Sequence, residues 1–368
     1  MSCDFIALAT RGVQGLTPYV PGKPVEELER ELGIRNIIKL ASNENPLGPS
    51  PKVLAALDEV KADLTRYPDG NGFKLKQSLA ARLGVDAETI TLGNGSNDVL
   101  DLIARAYLAP GDEAVFSQYA FAVYPISTQA CGAKAVITPA KDWGHDLQAM
   151  AQAITDKTKV VFIANPNNPT GTSFGRAEWE AFISRVPESV LVVLDEAYIE
   201  YVDEASDALN GLDYLDHHSN LIVTRTFSKA YGLAALRVGY SLSHSQVANV
   251  LNRVRQPFNV DSFALAAANA VLDDEEYLQR SREINRQGMA QFVDGFRQLG
   301  LDYIPSAGNF ITVHFAVAAD SIYQKLLREG VIVRPVGNYG MPNSLRISIG
   351  LPEENQRCID AIKRVLEQ

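Results

Sequence analysis

Lys229 is the residue whose surroundings most clearly indicate chemistry. It follows an apolar, β-branched run at residues 221–226 and precedes a glycine-containing turn, and a second cation, Arg237, comes eight positions later. An unpaired ammonium group is costly to bury, so a lysine at the junction of a buried strand and a loop requires an explanation. A desolvated amine can act as a nucleophile towards an aldehyde and form a Schiff base. The alternative is a solvated lysine beside a strand end, and this segment alone does not decide between the two.

Two further apolar runs also end in polar residues. Residues 159–164 lead into Asn165-Pro-Asn-Asn-Pro-Thr-Gly171, and residues 189–194 lead into Asp195-Glu-Ala-Tyr198. Such runs are typical of strands buried on both faces of a parallel sheet, whose ligands collect outside the carboxyl ends of the strands. Three strands would therefore deliver four polar side chains to one crevice: Asn168, Asp195, Tyr198 and Lys229. Each motif could be an ordinary turn or cap, but the order and spacing of all three favour a site.

The runs that position these residues alternate with helical segments up to about residue 260. Six of them have the character of strands: residues 89–92, 113–117, 135–138, 160–164, 190–194 and 221–226. This alternation predicts an α/β fold with a mostly parallel sheet flanked by helices. After Pro257 the pattern changes, and one long helical stretch occupies residues 262–299. Short strands and a closing helix follow, predicting a smaller α+β domain, at residues 309–315, 331–334, 344–349 and from 352 onwards.

The length and composition limit the classes of function. A chain of 368 residues is long enough for two domains, and its net charge of −10, from 34 basic and 44 acidic residues, argues against broad nucleic-acid or anionic-membrane binding. Cys3, Cys131 and Cys358 show neither metal-ligand spacing nor a disulfide framework, so we expect no metal and a reduced, cytoplasmic setting. The N-terminus lacks the pattern of a secretory signal, and no apolar run approaches the ~18 residues of a membrane helix.

The segments together resemble a fold-type I aminotransferase that uses pyridoxal phosphate and, more closely, the histidinol-phosphate aminotransferase family. The superfamily motifs are Asn168-Pro-Thr-Gly, Asp195-Glu-Ala-Tyr198, Ser228-Lys229 and Arg237. Supporting motifs are Leu16-Thr-Pro-Tyr19, Leu40-Ala-Ser-Asn-Glu-Asn45-Pro, Arg66-Tyr67-Pro-Asp and Leu345-Arg346-Ile-Ser-Ile-Gly350. The similarity spans nearly the whole chain. It implies a large cofactor-binding domain at residues 45–260 and a small discontinuous domain, residues 1–44 and 261–368, that carries an N-terminal arm.

The resemblance implies how the cofactor ring is held. Lys229 would form the Schiff base and move a proton between the substrate's Cα and the cofactor, since a buried lysine with a lowered pKa suits general base work. Asp195 would keep the ring nitrogen protonated, because a carboxylate paired with a cationic nitrogen stabilises its charge. Tyr198 and Asn168 would hydrogen-bond the 3-hydroxyl oxygen of the ring.

The cofactor phosphate and ring face also require partners. Residues 93–98, Gly-Asn-Gly-Ser-Asn-Asp, follow a predicted strand and open a helix, whose first N–H groups form an anion site. An ordinary glycine turn with a cap is the alternative. The expected phosphate ligands are Gly95, Ser96, Asn97, Thr226, Ser228 and Arg237, with Tyr67 reaching in from the neighbouring subunit. Phe121 would stack on the ring, although Tyr119 is close enough in sequence to exchange with it, and either aromatic could be a core residue.

Arg346 is the expected ligand of a substrate carboxylate. An arginine inside an otherwise apolar strand is poorly explained by a solvated face, and its planar fork binds carboxylates bidentately. In the family this arginine serves the glutamate half-reaction and contributes to the phosphate end of the other substrate. Arg334 and Tyr19 resemble the residues that hold that phosphate. Asn45 and Asn168 complete the expected substrate-binding set.

The resemblance implies a homodimeric transaminase that converts histidinol phosphate and 2-oxoglutarate to imidazole-acetol phosphate and glutamate in histidine biosynthesis. Three alternatives stay open at this point. An aromatic amino acid aminotransferase, for tyrosine or phenylalanine, would keep the chemistry and change the substrate. A threonine-phosphate decarboxylase would break a different bond at Cα. A protein that binds the cofactor without turnover would lack one of the key groups, whereas Lys229, Asp195 and Arg346 are all present.

Overall fold

Strands and helices alternate along the computed structural model, which describes residues 3–19, 21–203 and 207–367. The strands are β1 (Ile38–Lys39), β2 (Ile90–Gly93), β3 (Glu113–Ser117), β4 (Lys134–Thr138), β5 (Ala140–Lys141), β6 (Gly144–His145), β7 (Thr158–Ala164), β8 (Leu191–Asp195), β9 (Leu221–Thr226), β10 (Gly239–Ser243), β11 (Tyr303–Ile304), β12 (Phe310–His314), β13 (Val331–Ile332), β14 (Arg334–Pro335) and β15 (Ser344–Ser348). The α-helices are α1 (Phe5–Leu8), α2 (Arg11–Gln14), α3 (Val25–Leu32), α4 (Pro51–Val60), α5 (Phe73–Leu83), α6 (Ser96–Tyr107), α7 (Val123–Ala130), α8 (Leu147–Gln152), α9 (Arg176–Ile183), α10 (Ser245–Val254), α11 (Ser262–Leu272), α12 (Glu275–Leu299), α13 (Ala319–Arg328) and α14 (Pro352–Leu366).

Seven strands form the central sheet, in the order β2-β10-β9-β8-β7-β3-β4. The five adjacent strands β9, β8, β7, β3 and β4 run parallel to one another, whereas β10 is antiparallel to both of its neighbours, β2 and β9. Helices pack on both faces, so every residue of β3, β9 and β10 is buried. The predicted α/β fold with a mostly parallel sheet is therefore confirmed.

The six predicted strands are all present in this sheet, and β3 and β9 have the predicted bounds. The sequence pattern does not indicate β10, because Gly239-Tyr-Ser-Leu-Ser243 is rich in small and polar residues. Gly239 lies so close to the backbone of residues 95–96 that a side chain would collide with it. A small residue is therefore needed at this point for a reason of packing rather than of strand preference.

The second part of the chain forms an antiparallel four-stranded sheet, in the order β11-β12-β15-β14. Helices α12, α13 and α14 cover it with an apolar cluster that includes Phe292, Phe296, Ile322 and Ile362. A separate parallel pair joins β1, near the N-terminus, to β13, so an early segment belongs to this part. Among the described residues, no helix combines the length and the apolar character that crossing a bilayer requires.

The predicted helical stretch of residues 262–299 is two helices rather than one. Asp274 caps α12 by accepting a hydrogen bond from the Tyr277 N–H at 3.4 Å, and Ser50 donates to the same carboxylate. Helix α11 packs beside α4 in the apolar cluster of the central sheet. We therefore propose that the large domain is the predicted range 45–260 extended through α11, and that the small domain combines residues 1–44 with the chain from α12 onwards.

Candidate active site

The carboxyl ends of β7, β8 and β9 open into one cavity of about 260 Å³. Residues 41–44 and strand β15 complete its wall from the smaller domain. Most of the predicted site residues line it: Tyr19, Ser96, Asn97, Phe121, Asn168, Asp195, Tyr198, Thr226, Ser228, Lys229, Arg237, Arg334 and Arg346. The structure thus brings together side chains that are more than 300 residues apart in the sequence.

The amine of Lys229 lies at the junction of β9 and the loop that follows it. Its Nζ donates to the Ser42 carbonyl oxygen at 3.1 Å and stands 5.8 Å from the centre of the Tyr198 ring. Desolvation and, after it, the nearby Arg346 guanidinium lower the pKa of this amine from 10.5 to about 7. An amine with this pKa can take up and release a proton at neutral pH.

Asp195 is buried at the end of β8, and both of its carboxylate oxygens accept hydrogen bonds. Oδ1 accepts from the Thr224 hydroxyl at 3.0 Å, and Oδ2 accepts from the Tyr124 hydroxyl at 2.8 Å. Burial raises the pKa of Asp195, while these two donors and the Ala197 N–H oppose the rise. Hydrogen bonds to the charged form are what keep a buried carboxylate ionised.

Tyr124 is a site residue that the sequence motifs do not single out. Its ring stacks on Phe162, with centroids 5.0 Å apart, and meets the Phe121 ring edge-on at 5.9 Å. Tyr124 therefore links the acid at the end of β8 to an aromatic ring that lines the cavity. Its partner Asp195 is 71 residues away, so no local pattern marks the contact.

The Tyr198 hydroxyl accepts hydrogen bonds from two amide groups. Asn43 Nδ2 donates to it at 2.9 Å and Asn168 Nδ2 at 3.2 Å, and Asn168 Oδ1 accepts in turn from Arg346 Nη1 at 2.5 Å. Burial raises the pKa of Tyr198 to about 12, so the hydroxyl keeps its proton at neutral pH. Asn43 lies inside the motif that runs from Leu40 to Pro46, but nothing in that motif assigns it a role.

The turn before α6 and the Arg237 side chain lie side by side. Gly95 precedes α6 with a φ of 83°, and a Cβ at this position would collide with the Arg237 guanidinium. Arg237 Nη1 donates to the Ser228 hydroxyl at 3.3 Å, and the Ser228 N–H donates to Thr226 Oγ1 at 3.1 Å. With the backbone of residues 96–97 at the start of α6, these groups form a cradle suited to an anion.

Two arginines of the smaller sheet reach the same cavity. Arg334 on β14 and Arg346 on β15 are direct cross-strand partners, so their side chains project from the same face of the sheet. Arg346 Nη2 donates to the Ala41 carbonyl oxygen at 2.8 Å, and its buried Nε has no hydrogen-bond partner within the described part of the chain. The Arg334 guanidinium lies over the Tyr19 ring, 5.5 Å from its centre. These residues form a cationic side of the cavity.

Three predicted site residues are not among those that line this cavity: Gly95, Tyr67 and Asn45. Tyr67 is 82% exposed, and its ring stacks on Phe258 with centroids 4.6 Å apart. Asn45 Nδ2 donates to the Ala230 carbonyl oxygen at 2.9 Å and to the Ser281 hydroxyl at 2.8 Å. Asn45 therefore ties the loop after β9 to α12, and its part in substrate binding stays a prediction.

Phe121 and Tyr119, the two aromatic candidates for stacking on the cofactor, lie in different places. Phe121 lines the cavity, whereas the Tyr119 ring packs on Trp143 with centroids 5.4 Å apart. We therefore propose Phe121 as the stacking ring.

Comparison with known proteins decides the family. The sequence model of the family "Aminotransferase class I and II" matches residues 35–362. This chain belongs to the class I and II aminotransferases. The aminotransferase is 67% identical over 368 residues to histidinol-phosphate aminotransferase 2 of Pseudomonas fluorescens Pf-5, covering 100% of this chain and 99% of that one. It is 66% identical over 365 residues to histidinol-phosphate aminotransferase 2 of Pseudomonas aeruginosa, covering 99% of each chain.

The aminotransferase is also similar to solved structures of aminotransferases. It superposes with a TM-score of 0.90 and 32% identity on histidinol-phosphate aminotransferase from Sinorhizobium meliloti in complex with pyridoxal-5'-phosphate, over 97% of each chain. A double mutant of Thermus thermophilus aspartate aminotransferase, 22% identical, superposes with a TM-score of 0.84 over 97% of this chain and 99% of that one. The second likeness shows the shared fold.

This aminotransferase uses pyridoxal phosphate, the cofactor of its family, and the cavity fits it. Among the described residues Asp195 has no ion-pair partner, and a protonated ring nitrogen would supply one. Lys229 would bond the aldehyde carbon, and the cradle around Arg237 would hold the phosphate. When bound, the cofactor is an electron sink that stabilises negative charge at the substrate's Cα.

Proposed function

We propose that this aminotransferase interconverts histidinol phosphate and 2-oxoglutarate with imidazole-acetol phosphate and glutamate, a reaction of histidine biosynthesis. Two relatives named histidinol-phosphate aminotransferase 2 match 100% and 99% of this chain, at 67% and 66% identity. The observation that carries the proposal is the pair Arg334 and Arg346, which share one face of the smaller sheet and line one cavity. Two guanidinium groups suit a phosphate dianion or a dicarboxylate, which are the charged ends of these substrates.

The residues of the cavity have separate tasks in this proposal. Lys229, with its pKa lowered to about 7, takes the proton from the substrate's Cα at neutral pH. Asp195, whose two oxygens accept from hydroxyl donors that favour its charged form, would balance the positive charge of the ring nitrogen. Tyr198 would donate its hydroxyl hydrogen to the 3-oxygen of the ring. Arg346 orients the carboxylate of glutamate or 2-oxoglutarate, and Arg334 binds the distal anion.

The closest rival is an aminotransferase for tyrosine or phenylalanine, which offers one carboxylate and an uncharged ring to the same two arginines. We expect kcat/KM for histidinol phosphate to exceed that for either aromatic amino acid by roughly 10- to 100-fold, because a hydrogen-bonded charge contributes about 1.5–3 kcal/mol. The assay compares the three amino donors side by side with 2-oxoglutarate. Equal or higher values for the aromatic donors would reject the proposed substrate and leave the aminotransferase chemistry intact.

Arg334→Leu sharpens this comparison. The substitution should lower kcat/KM for histidinol phosphate by at least tenfold and leave the value for phenylalanine nearly unchanged, because only the first donor presents a phosphate. Arg328→Leu is the matched control, since Arg328 is an exposed arginine at the end of α13. If Arg334→Leu lowers both values equally, Arg334 does not read the phosphate.

We also propose that the enzyme works in the cytoplasm as a homodimer in which Tyr67 enters the partner's site. Tyr67 and Phe258 are 82% and 43% exposed, although large aromatic side chains are usually buried. An apolar groove of about 560 Å³ runs between α4 and α11 on the same domain. Its apolar lining, which suits a second copy of this chain, consists of Ala55, Ala56, Val60, Leu75, Leu265, Ala266 and Ala270.

Subunit mixing tests the shared site. A Tyr67→Ala subunit paired with a Lys229→Ala subunit should recover activity, because one of the two sites then has both native residues. Each variant alone is measured as the control, together with the mass of the particle by sedimentation. A monomeric particle, or no recovery on mixing, contradicts the proposal.

A further inference from the structure

The hydroxyl of Tyr198 is surrounded in a way that leaves its own hydrogen for the cavity. Its oxygen accepts two amide N–H groups, from Asn43 at 2.9 Å and from Asn168 at 3.2 Å. An oxygen with both lone pairs engaged can take part in a further hydrogen bond only as a donor. Tyr198 lines the cavity, so the direction that remains open to the hydroxyl hydrogen is towards the ligand.

Both amides are fixed in orientation by the hydrogen bonds that their oxygens accept. Ser348 Oγ donates to Asn43 Oδ1 at 3.0 Å. Arg346 Nη1 donates to Asn168 Oδ1 at 2.5 Å. Asn168 cannot turn over without losing its bond, because a guanidinium only donates. Asn43 presents its NH₂ group to Tyr198 because the Ser348 hydroxyl, which accepts from the Asn43 backbone N–H, donates to the Asn43 side-chain oxygen. The two donors come from neighbouring positions on the same face of β15, residues 346 and 348.

The two amides differ in how much a substrate can disturb them. A carboxylate bound to Arg346 would use the N–H groups that remain free and offset part of the positive charge, so the guanidinium would polarise the Asn168 amide less. Asn43 is independent of Arg346. It is 1% exposed, and its backbone N–H also donates to Ser348 Oγ, at 2.7 Å.

We propose that Asn43 is a positioning residue that holds the Tyr198 hydroxyl as a donor into the cavity throughout turnover, including the steps in which a substrate carboxylate weakens the support from Asn168. This inference rests on the proposed roles of Tyr198 and Arg346, and it does not depend on which amino donor the enzyme prefers. An amide that donates to a phenol oxygen strengthens the donation of that phenol. A stronger phenol donor stabilises negative charge on the cofactor's 3-oxygen, and this lowers the pH at which the visible absorbance of the bound cofactor titrates.

The backbone of Asn43 permits a clean substitution. Its φ is 55°, in the left-handed region that glycine adopts without strain. Asn43→Gly therefore removes the amide and retains the local backbone. Asn36→Gly is the matched control, because Asn36 also has a positive φ, 58°, and is exposed outside the cavity. Ser348→Ala removes the hydroxyl that orients Asn43, and Ser348→Thr keeps a hydroxyl at the same position.

The experiment titrates the visible absorbance of each holoenzyme against pH, without substrate. Asn43→Gly should raise the midpoint by roughly half a pH unit relative to the native protein, as expected for losing part of one hydrogen bond. Ser348→Ala should shift it in the same direction, Ser348→Thr should restore the native value, and Asn36→Gly should leave it unchanged. A native midpoint in Asn43→Gly overturns the proposal. If that variant does not fold, Ser348→Ala carries the same test.

A second titration adds saturating glutarate, a dicarboxylate without a keto group to react. The difference between Asn43→Gly and the native protein should become larger than it is without glutarate, because Asn168 then compensates less for the missing amide. An equal difference with and without glutarate overturns the proposed division of labour between the two amides. Failure of the proposed substrate would appear elsewhere, as absent turnover of histidinol phosphate with these midpoints unaffected.

Discussion

Without its cofactor, this aminotransferase should become more stable as the pH rises from about 7 to 10.5, and Lys229→Met should abolish that gain. Desolvation, and then the charge of Arg346, lower the pKa of Lys229 in the folded protein from 10.5 to about 7. Between these values the unfolded chain binds a proton that the folded protein does not. The free energy of unfolding therefore rises with pH, by about 1.4 kcal/mol per pH unit.

The size of the effect follows from the two pKa values. Below pH 7 the lysine is charged in both states, and the folded protein bears the whole cost of burying that charge, which is roughly 5 kcal/mol for a change from 10.5 to about 7. Above pH 10.5 the amine is neutral in both states, so this cost is absent. Methionine has a similar length and no charge. Lys229→Met should thus be more stable than the native protein by several kcal/mol at pH 6.5 and by about 1–2 kcal/mol at pH 9.5.

Urea unfolding at pH 6.5, 8.0 and 9.5 measures this difference, on protein freed of cofactor with hydroxylamine and followed by the fluorescence of Trp143 and Trp179. Lys159→Met is the control, because Lys159 is an exposed lysine on β7. Its difference from the native protein should be the same at each pH. A stability difference for Lys229→Met that does not change with pH would show that the amine is solvated, and the reasoning about its proton transfer would fail.

Three other substitutions give distinct expected results. Tyr124→Phe should weaken cofactor binding by about tenfold near pH 6 and less at pH 9, because Asp195 loses a donor that favours its ionised form. A fluorescence titration measures the affinity for the cofactor. A pH-independent affinity equal to the native one would contradict this expectation. Arg346→Lys should raise KM for 2-oxoglutarate more than tenfold in steady-state assays, since lysine cannot bind a carboxylate bidentately, and an unchanged KM would remove Arg346 from the site. Glu196→Gln should lower the free energy of unfolding by roughly 3 kcal/mol in urea, because it breaks a buried ion pair of 2.7 Å with Arg225; a loss below 1 kcal/mol would show that the pair is hydrated.

Three of the residues that face the cavity could be predicted because their signals are local. Lys229, Asp195 and Asn168 each follow an apolar run, and the end of a buried strand is recognisable in the sequence. The residues that hold them in place carry no such signal. Tyr124 bonds Asp195 across 71 residues and Asn43 bonds Tyr198 across 155, so only the folded chain brings the partners together.

The fold shows the same division between local and distant causes. The alternation of apolar runs with helical segments is enough to predict the central sheet. Strand β10 is missed because it is rich in small and polar residues, and its Gly239 is required by close packing against the turn at residues 95–96. The break between α11 and α12 has a local signal that a search for apolar periodicity overlooks. Asp274 is followed by Glu275 and Glu276, an acidic N-terminus typical of a new helix.

The antiparallel direction of β10 has a consequence for cofactor length. Because β10 returns directly beside β9, residues 227–238 form one hairpin whose base is closed by the Phe227 N–H donating to the Val238 carbonyl oxygen at 3.1 Å. Lys229 and Arg237 lie on opposite sides of this hairpin, so the length of this short stretch of chain fixes the separation between the groups that would bind the aldehyde and the phosphate of the cofactor. Inserting one residue between them would change that separation, and we expect such a variant to keep its sheet and lose cofactor binding.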